Sequence, residues 1–278
     1  MVKGIRDRNV DAHPYRCLTH HSNQGRKVMP KGLLIDIAGV LYEGDQAVPG
    51  AVDALEKIRR ERIPFLLVTN TTRKTRHQLL DRLRALDFYL DEGRILSAVD
   101  ATADYLRNNK LHPLLIVHPA IRGLFADLID PIPNAVVLGD AGDNFDYDHL
   151  NRAFRLIMDG APLIAMGDNR YFSDTDGRLS LDIGPFKAAL EQATSTQATV
   201  IGKPSATFFH AACKRLALAP EDVLMIGDDA QADIAAAQAA GLQACLVKTG
   251  KYRPGDEQHC PQAELAENFS DAVRDLVN

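Results

Sequence analysis

From Lys31 onward, short apolar runs alternate with longer segments of helical period, and this restricts the chain more than any other feature. The runs are Leu33–Ile37, Phe65–Val68, Leu114–Val117, Ala135–Leu138, Leu163–Met166, Thr199–Ile201, Val223–Ile226 and Ala244–Val247. Between them, residues such as Val52, Leu55 and Ile58, or Leu150, Phe154 and Ile157, recur at the spacing of one helix face. Strands without polar alternation, joined by helices, are covered on both faces. The expected architecture is therefore α/β with a Rossmann-like parallel sheet. The runs at 135–138 and 163–166 lead into Gly139-Asp140 and Gly167-Asp168 and read as a second, smaller sheet inserted between Thr69 and Lys203. The spacing predicts a core over 30–97 and 185–278 and an inserted α/β domain over 98–184.

Residues 1–29 break the pattern. They are polar, rich in His and Arg (His13, Arg16, His20, His21, Arg26), and lack an apolar segment, so they read as a disordered extension and not a secretory signal. Met29, directly before the first strand, is an expected alternative start. Cys17, Cys213, Cys245 and Cys260 form no C-x-x-C pair, which points away from a disulfide framework or structural zinc and toward a reducing, cytoplasmic setting. No apolar run approaches the roughly 18 residues of a membrane span. A net charge of −5 without a basic stripe argues against nucleic acid as a partner. His118, His149 and His210 show no ligand spacing and read as structural.

In sheets of this kind the chemistry lies beyond the carboxyl ends of the strands. Asp36-Ile37-Ala38-Gly39 follows the first run, Thr69-Asn70 the second, Gly202-Lys203-Pro204 the sixth, and Gly227-Asp228-Asp229 with Asp233 the seventh. Singly, each is an ordinary turn or helix cap. Together they supply clustered carboxylates that call for a hard cation such as Mg²⁺, a hydroxyl and an amide to meet a phosphate, and a lone Lys. Those are the parts of phosphoryl transfer through an aspartyl-phosphate. A receiver domain uses similar parts, but its acidic pair comes at the first strand, whereas here it comes last.

The series D-I-A-G-V-L-Y, V-T-N, G-K-P and I-G-D-D-x-x-x-D resembles the four motifs of the haloacid dehalogenase superfamily. The insertion resembles the cap of its class II, C2-capped subgroup. The stretches Asp182-Ile183-Gly184-Pro185-Phe186-Lys187, Gly202-Lys203-Pro204-Ser205-Ala206-Thr207 and Val247-Lys248-Thr249-Gly250-Lys251-Tyr252 resemble the phospholysine phosphohistidine inorganic pyrophosphate phosphatase subfamily. The resemblance spans about residues 31–275. It implies Asp36 as nucleophile; Asp36, the Ala38 carbonyl and Asp228 as Mg²⁺ ligands; Thr69 and Lys203 on the phosphoryl oxygens, beside the Asn70 amide read above; and Asp229 and Asp233 steadying metal waters and Lys203. The implied substrate is a small phosphorylated molecule, and a homodimer is a further expectation.

Ala38 departs from that pattern. Most superfamily phosphatases carry an acid there to protonate the leaving group, help worth about 10²–10⁴-fold in rate. The first expectation is a weak or specialised phosphatase acting on a substrate that needs little acid, such as a phosphoramidate or pyrophosphate. The alternative is a catalytically inactive protein that binds a phospho-ligand or a partner. Phosphonoacetaldehyde hydrolases share D-x-A-G, but their cap falls between the first two motifs, where this chain has only 32 residues. From the inserted domain, Asp168, Asn169, Arg170, Tyr171 and Asp182 are candidates to face the leaving group, and Thr249-Gly250-Lys251 to line the rim. The apolar stripe of 148–158 reads as core of the inserted domain or a dimer face.

Overall fold

The structure, a computed structural model, describes residues 29–173 and 178–276. The expected extension, apart from Met29, lies outside these residues. The strands are β1 (Gly32–Asp36), β2 (Tyr42–Glu43), β3 (Gln46–Ala47), β4 (Phe65–Thr69), β5 (Ile95–Ser97), β6 (Pro113–Ile116) and β7 (Ala135–Leu138). They continue with β8 (Leu163–Ala165), β9 (Tyr171–Ser173), β10 (Leu179–Leu181), β11 (Thr199–Val200), β12 (Val223–Gly227), β13 (Gln243–Val247) and β14 (Glu264–Ala266). The helices are α1 (Ala51–Arg60), α2 (Arg76–Arg84), α3 (Ala98–Asn109), α4 (Pro119–Arg122), α5 (Tyr147–Met158), α6 (Ile183–Thr194), α7 (Ala206–Leu216), α8 (Ala236–Ala239) and α9 (Phe269–Ala272). Among the described residues no helix is long and apolar enough to cross a membrane.

The first sheet runs β14-β13-β12-β1-β4-β5, parallel throughout, and the second runs β11-β8-β7-β6, also parallel. Because successive side chains leave a strand on opposite faces, β1 divides its residues between two apolar layers. Leu33 and Ile35 pack with Leu55 and Ile58 of α1, Leu79 and Leu80 of α2, and Phe269 of α9. Leu34 belongs instead with Phe208 and Phe209 of α7, and that layer continues without a break into Val136, Val137 and Ile164 of the second sheet. The stripe on α5 is interior: Ala153 and Ile157 are buried, and Phe145 just ahead of it stacks on Phe186 of α6 with ring centroids 3.7 Å apart.

All eight expected runs overlap described strands. Three differences carry physical reasons. The strand β11 pairs with β8 at the edge of the second sheet, not with the first. An apolar run signals a buried strand but not which sheet takes it, so the chain returns to the first sheet later than the expected boundary at residue 185. The strand β5 is short and its last residue, Ser97, is also the N-cap of α3: Asp100 N donates to Ser97 Oγ (3.1 Å) and Ser97 N to the Asp100 carboxylate (3.0 Å). That capping box conceals the strand within a helical pattern. The strand β14 and the hairpins β2–β3 and β9–β10 are edge or surface elements too brief to show a period.

Candidate active site

Asp36 closes β1, Thr69 closes β4, and Asp228 follows β12 directly. These three strands are adjacent and parallel, so the three side chains meet at one edge of the sheet. Lys203 arrives by another route. After β11, Ile201 N donates to Ala165 O (2.9 Å) and Gly202 N to Met166 O (3.2 Å), and the chain then crosses between the sheets. A Cβ on Gly202 would lie 2.2 Å from Met166 O, so only glycine makes this passage. Asn70 secures the crossing: Nδ2 donates to Lys203 O (2.7 Å), and Oδ1 accepts from Lys203 N (2.8 Å). Its amide, expected on a phosphate, is thus engaged in holding the lysine.

Lys203 Nζ lies 2.5 Å from Asp36 Oδ1 and 2.6 Å from Asp233 Oδ1, all three side chains being buried. Burial works against the ammonium, but Asp233 and Asp36 overcome it and raise its pKa. Asp36, Asp228 and Asp233 each present an oxygen within 4.8 Å of the others. Burial and the charges of Asp36 and Asp233 push Asp228 up to about 7. Burial pushes Asp233 up to about 6, opposed by Lys203 and reinforced by Asp36. Asp233 Oδ1 is taken up by Lys203, and its other oxygen accepts from Asp229 N (3.3 Å). Three buried carboxylates against one ammonium form an oxygen-rich site with excess negative charge. That donor set fits a hard divalent cation such as Mg²⁺.

The acidic pair has separate tasks. Asp233 contacts Lys203 (2.6 Å). Asp229 does not: its carboxylate accepts from Gln231 N (3.1 Å) and Ala232 N (2.9 Å), capping the π-helical turn Ala230–Ala235, and pairs with Lys251 Nζ (3.2 Å). Burial raises its pKa, but the Ala232 N–H and Lys251 outweigh that and lower it. Asp233 lies within this π-turn, an element that recurs at functional sites.

Asp36, Thr69, Asn70, Lys203, Asp229 and Asp233 open into a cavity of about 490 Å³ whose far wall includes Asp140 and Asn169, beyond strands of the second sheet, while Asp228 does not line it. Ala38 lines it with its methyl group exposed to the space. Of the five expected residues from the inserted segment, Asn169 and Asp182 line the cavity. Asp168 pairs with Lys187 (3.2 Å), and Tyr171 is 59% exposed. Arg170 is exposed and, like Asp168 and Tyr171, does not line the cavity. Asp182 caps α6 through Ile183 N (2.7 Å), and burial, with Asp140 nearby, raises its pKa. Lys251 lines the cavity too, whereas Thr249 and Gly250 do not.

The lining residues that spacing alone missed are Thr71, Thr72, Arg73, Lys74, Asp140, Phe172 and Ala232. Arg73 grips Asp140 with two hydrogen bonds (2.5 and 3.1 Å), lies 4.4 Å from the Phe172 ring centroid, and so ties the loop after β4 to the second sheet. Asp140 N also donates to Thr72 Oγ1 (3.2 Å). Asp140 follows an apolar run just as Asp36 does, a signal that was present in the sequence; Arg73 had none. His118 and His149 bond locally, to Ala120 N and Asp146, and His210 bonds to Ala240 O, 30 residues away.

Residues 33–128 match the family of haloacid dehalogenase-like hydrolases, and residues 200–272 a HAD-hydrolase-like family. The chain is 44% identical over 249 residues to human haloacid dehalogenase-like hydrolase domain-containing protein 2, covering 89% of this chain and 96% of that protein. It is 38% identical over 254 residues to rat phospholysine phosphohistidine inorganic pyrophosphate phosphatase, covering 89% and 93%. A 4-nitrophenylphosphatase from Thermotoga maritima superposes with a TM-score of 0.81 at 22% identity, covering 88% of this chain and 97% of that one, which shows the shared fold.

Proposed function

The chain belongs to the haloacid dehalogenase-like hydrolases, and on that premise we propose that it is a Mg²⁺-dependent phosphatase working through an aspartyl-phosphate on Asp36. The observation that carries this reading is the convergence of Asp36, Thr69 and Lys203, from three separate stretches of chain, on one cavity. The second sheet and its helices, which form the far wall, serve as the C2 cap.

Asp36 presents a carboxylate oxygen to phosphorus. The P–O or P–N bond to the leaving group breaks as the Asp36–phosphorus bond forms. Lys203 and the Thr69 hydroxyl offset charge on the phosphoryl oxygens, and Asn70 and Asp233 keep Lys203 aimed at that position. Asp36, the Ala38 carbonyl and Asp228 would hold Mg²⁺, which when bound supplies the charge that screens nucleophile and phosphate from each other. Water then cleaves the aspartyl-phosphate and releases inorganic phosphate.

The Ala38 methyl group can neither give nor take a proton at the leaving group. The reading is therefore a specialised phosphatase, suited to substrates whose leaving group departs without an acid at that position. A phosphoramidate or pyrophosphate is such a substrate, and the name of the rat relative points the same way. Ala38 also favours a second reading, a phospho-ligand binder without turnover.

The test is phosphate release from pyrophosphate, imidodiphosphate, phosphohistidine and p-nitrophenyl phosphate with and without Mg²⁺, using Asp36→Asn as control. Release that requires both Mg²⁺ and Asp36 supports the phosphatase. Release unchanged in Asp36→Asn refutes the covalent mechanism. Binding of phosphate analogues with no release transfers the weight to the binder.

A further inference from the structure

Three consecutive residues after β13 reach three different parts of the site. The Thr249 hydroxyl donates to Gly39 O, Gly250 N donates to the Glu43 carboxylate on β2, and Lys251 N donates to Asp228 Oδ2 (2.7 Å). The fit is close. Gly39 (φ +85°) and Gly250 (φ +62°) both occupy the left-handed region, and a Cβ on either would lie 2.0 Å from Asp228 Oδ2. The two glycines thus enclose the carboxylate, while the Lys251 N–H fixes one of its oxygens.

The same turn sets the backbone beside Ala38. Gly39 N donates to Tyr42 O (2.8 Å). In a trans peptide the Ala38 carbonyl lies opposite that N–H, so it points away from Tyr42. With Gly39 O held by Thr249, the peptide planes on both sides of Gly39 are immobilised. We infer that the turn Thr249-Gly250-Lys251 is a positioning clamp for the cation site, orienting the Asp228 carboxylate and the Ala38 carbonyl together before any cation arrives. The inference rests on the phosphatase reading in needing a divalent cation at these two groups. None of the three residues contacts the cation; they act through its ligands. Groups that orient ligands in this way are worth about 10–100-fold in metal affinity.

The experiment is calorimetric titration of the full chain with Mg²⁺, comparing wild type, Thr249→Val and Thr249→Ser. Thr249→Val should bind Mg²⁺ about 10–100-fold more weakly, while Thr249→Ser, which keeps the hydroxyl, should stay close to wild type. Phosphatase activity in Thr249→Val should return at saturating Mg²⁺, a recovery that general damage to the fold would not permit. Equal affinity in wild type and Thr249→Val overturns the clamp and leaves the phosphatase reading standing. No Mg²⁺ binding by wild type overturns both. In wild type alone, Mg²⁺ should slow hydrogen exchange at the Lys251 amide, and unchanged exchange alongside measurable binding also refutes the clamp.

Discussion

Replacing Lys203 with Met should make the metal-free protein far less stable at alkaline pH than at acidic pH. Lys203 is the cation between Asp36 and Asp233, at 2.5 and 2.6 Å, with a side chain only 5% exposed. Its loss leaves three buried carboxylates facing one another. Removing one partner of a buried ion pair costs about 3–5 kcal/mol. For a chain of this size each kcal/mol lowers Tm by about 2–4 °C, so the expected drop is roughly 6–20 °C. The pH dependence follows from the sign of the shifts. Asp228 and Asp233 are already raised, to about 7 and about 6, so both favour the folded state while protonated and lose that contribution as pH rises through those values. Without Lys203, which holds Asp233 down, the Asp233 pKa rises further, and at acidic pH proton uptake takes over part of what the ammonium did. Thermal unfolding of wild type and Lys203→Met in chelator, at about pH 5 and about pH 8, should show the wider gap at about pH 8. Excess Mg²⁺ should narrow it. A drop of equal size at both pH values would mean that Lys203 contributes packing and not charge, and the electrostatic reasoning would be wrong.

Ala38→Asp should raise hydrolysis of alkyl phosphates by about tenfold or more, with little gain on p-nitrophenyl phosphate, whose leaving group needs no proton; steady-state kinetics on both substrates decides it, and no gain on the alkyl ester would place the limit elsewhere in the cavity. Arg73→Met and Asp140→Asn should be non-additive, with a coupling of about 0.5–3 kcal/mol in denaturant unfolding, because Asp140 is 7% exposed and Arg73 35%. Additive losses would remove the strut between the two sheets. Asp182→Asn keeps an N-cap on α6 but removes a carboxyl whose raised pKa makes its ionisation unfavourable to folding. The Tm of the variant relative to wild type should therefore increase from about pH 4 to about pH 7, and a flat difference would refute the burial argument.

The strands and the residues at their ends were legible because both are local. Asp36, Thr69 and Asp228 each follow directly on a buried apolar run, and parallel strands place such positions on one edge of the sheet. What the chain does between elements distant in sequence was not legible. Nothing near Asn70 indicates that its amide will be taken up by the backbone of Lys203, 133 residues away. Nothing in the run Thr71-Thr72-Arg73-Lys74 separates the arginine that crosses to Asp140 from a solvated neighbour. Asp229 and Asp233 both follow the same apolar run, yet one pairs with Lys251 and the other with Lys203. The assignment of β11 to the second sheet was hidden for a related reason: two residues of strand carry too little pattern to announce a partner.

The apolar layer that passes unbroken from Leu34 through Phe208 into Val136 and Ile164 has a consequence for how the molecule comes apart. Two lobes joined only by linkers would melt separately and give two heat-absorption peaks. Here, pulling the smaller lobe away would strip a shared interior and expose its side chains to water, so neither lobe has a favourable half-melted state. Scanning calorimetry should show one transition whose van't Hoff and calorimetric enthalpies agree. At the rim of the cavity, the β9–β10 pair carries Phe172 against the cavity on one face and the exposed Tyr171, Leu179 and Leu181 on the other.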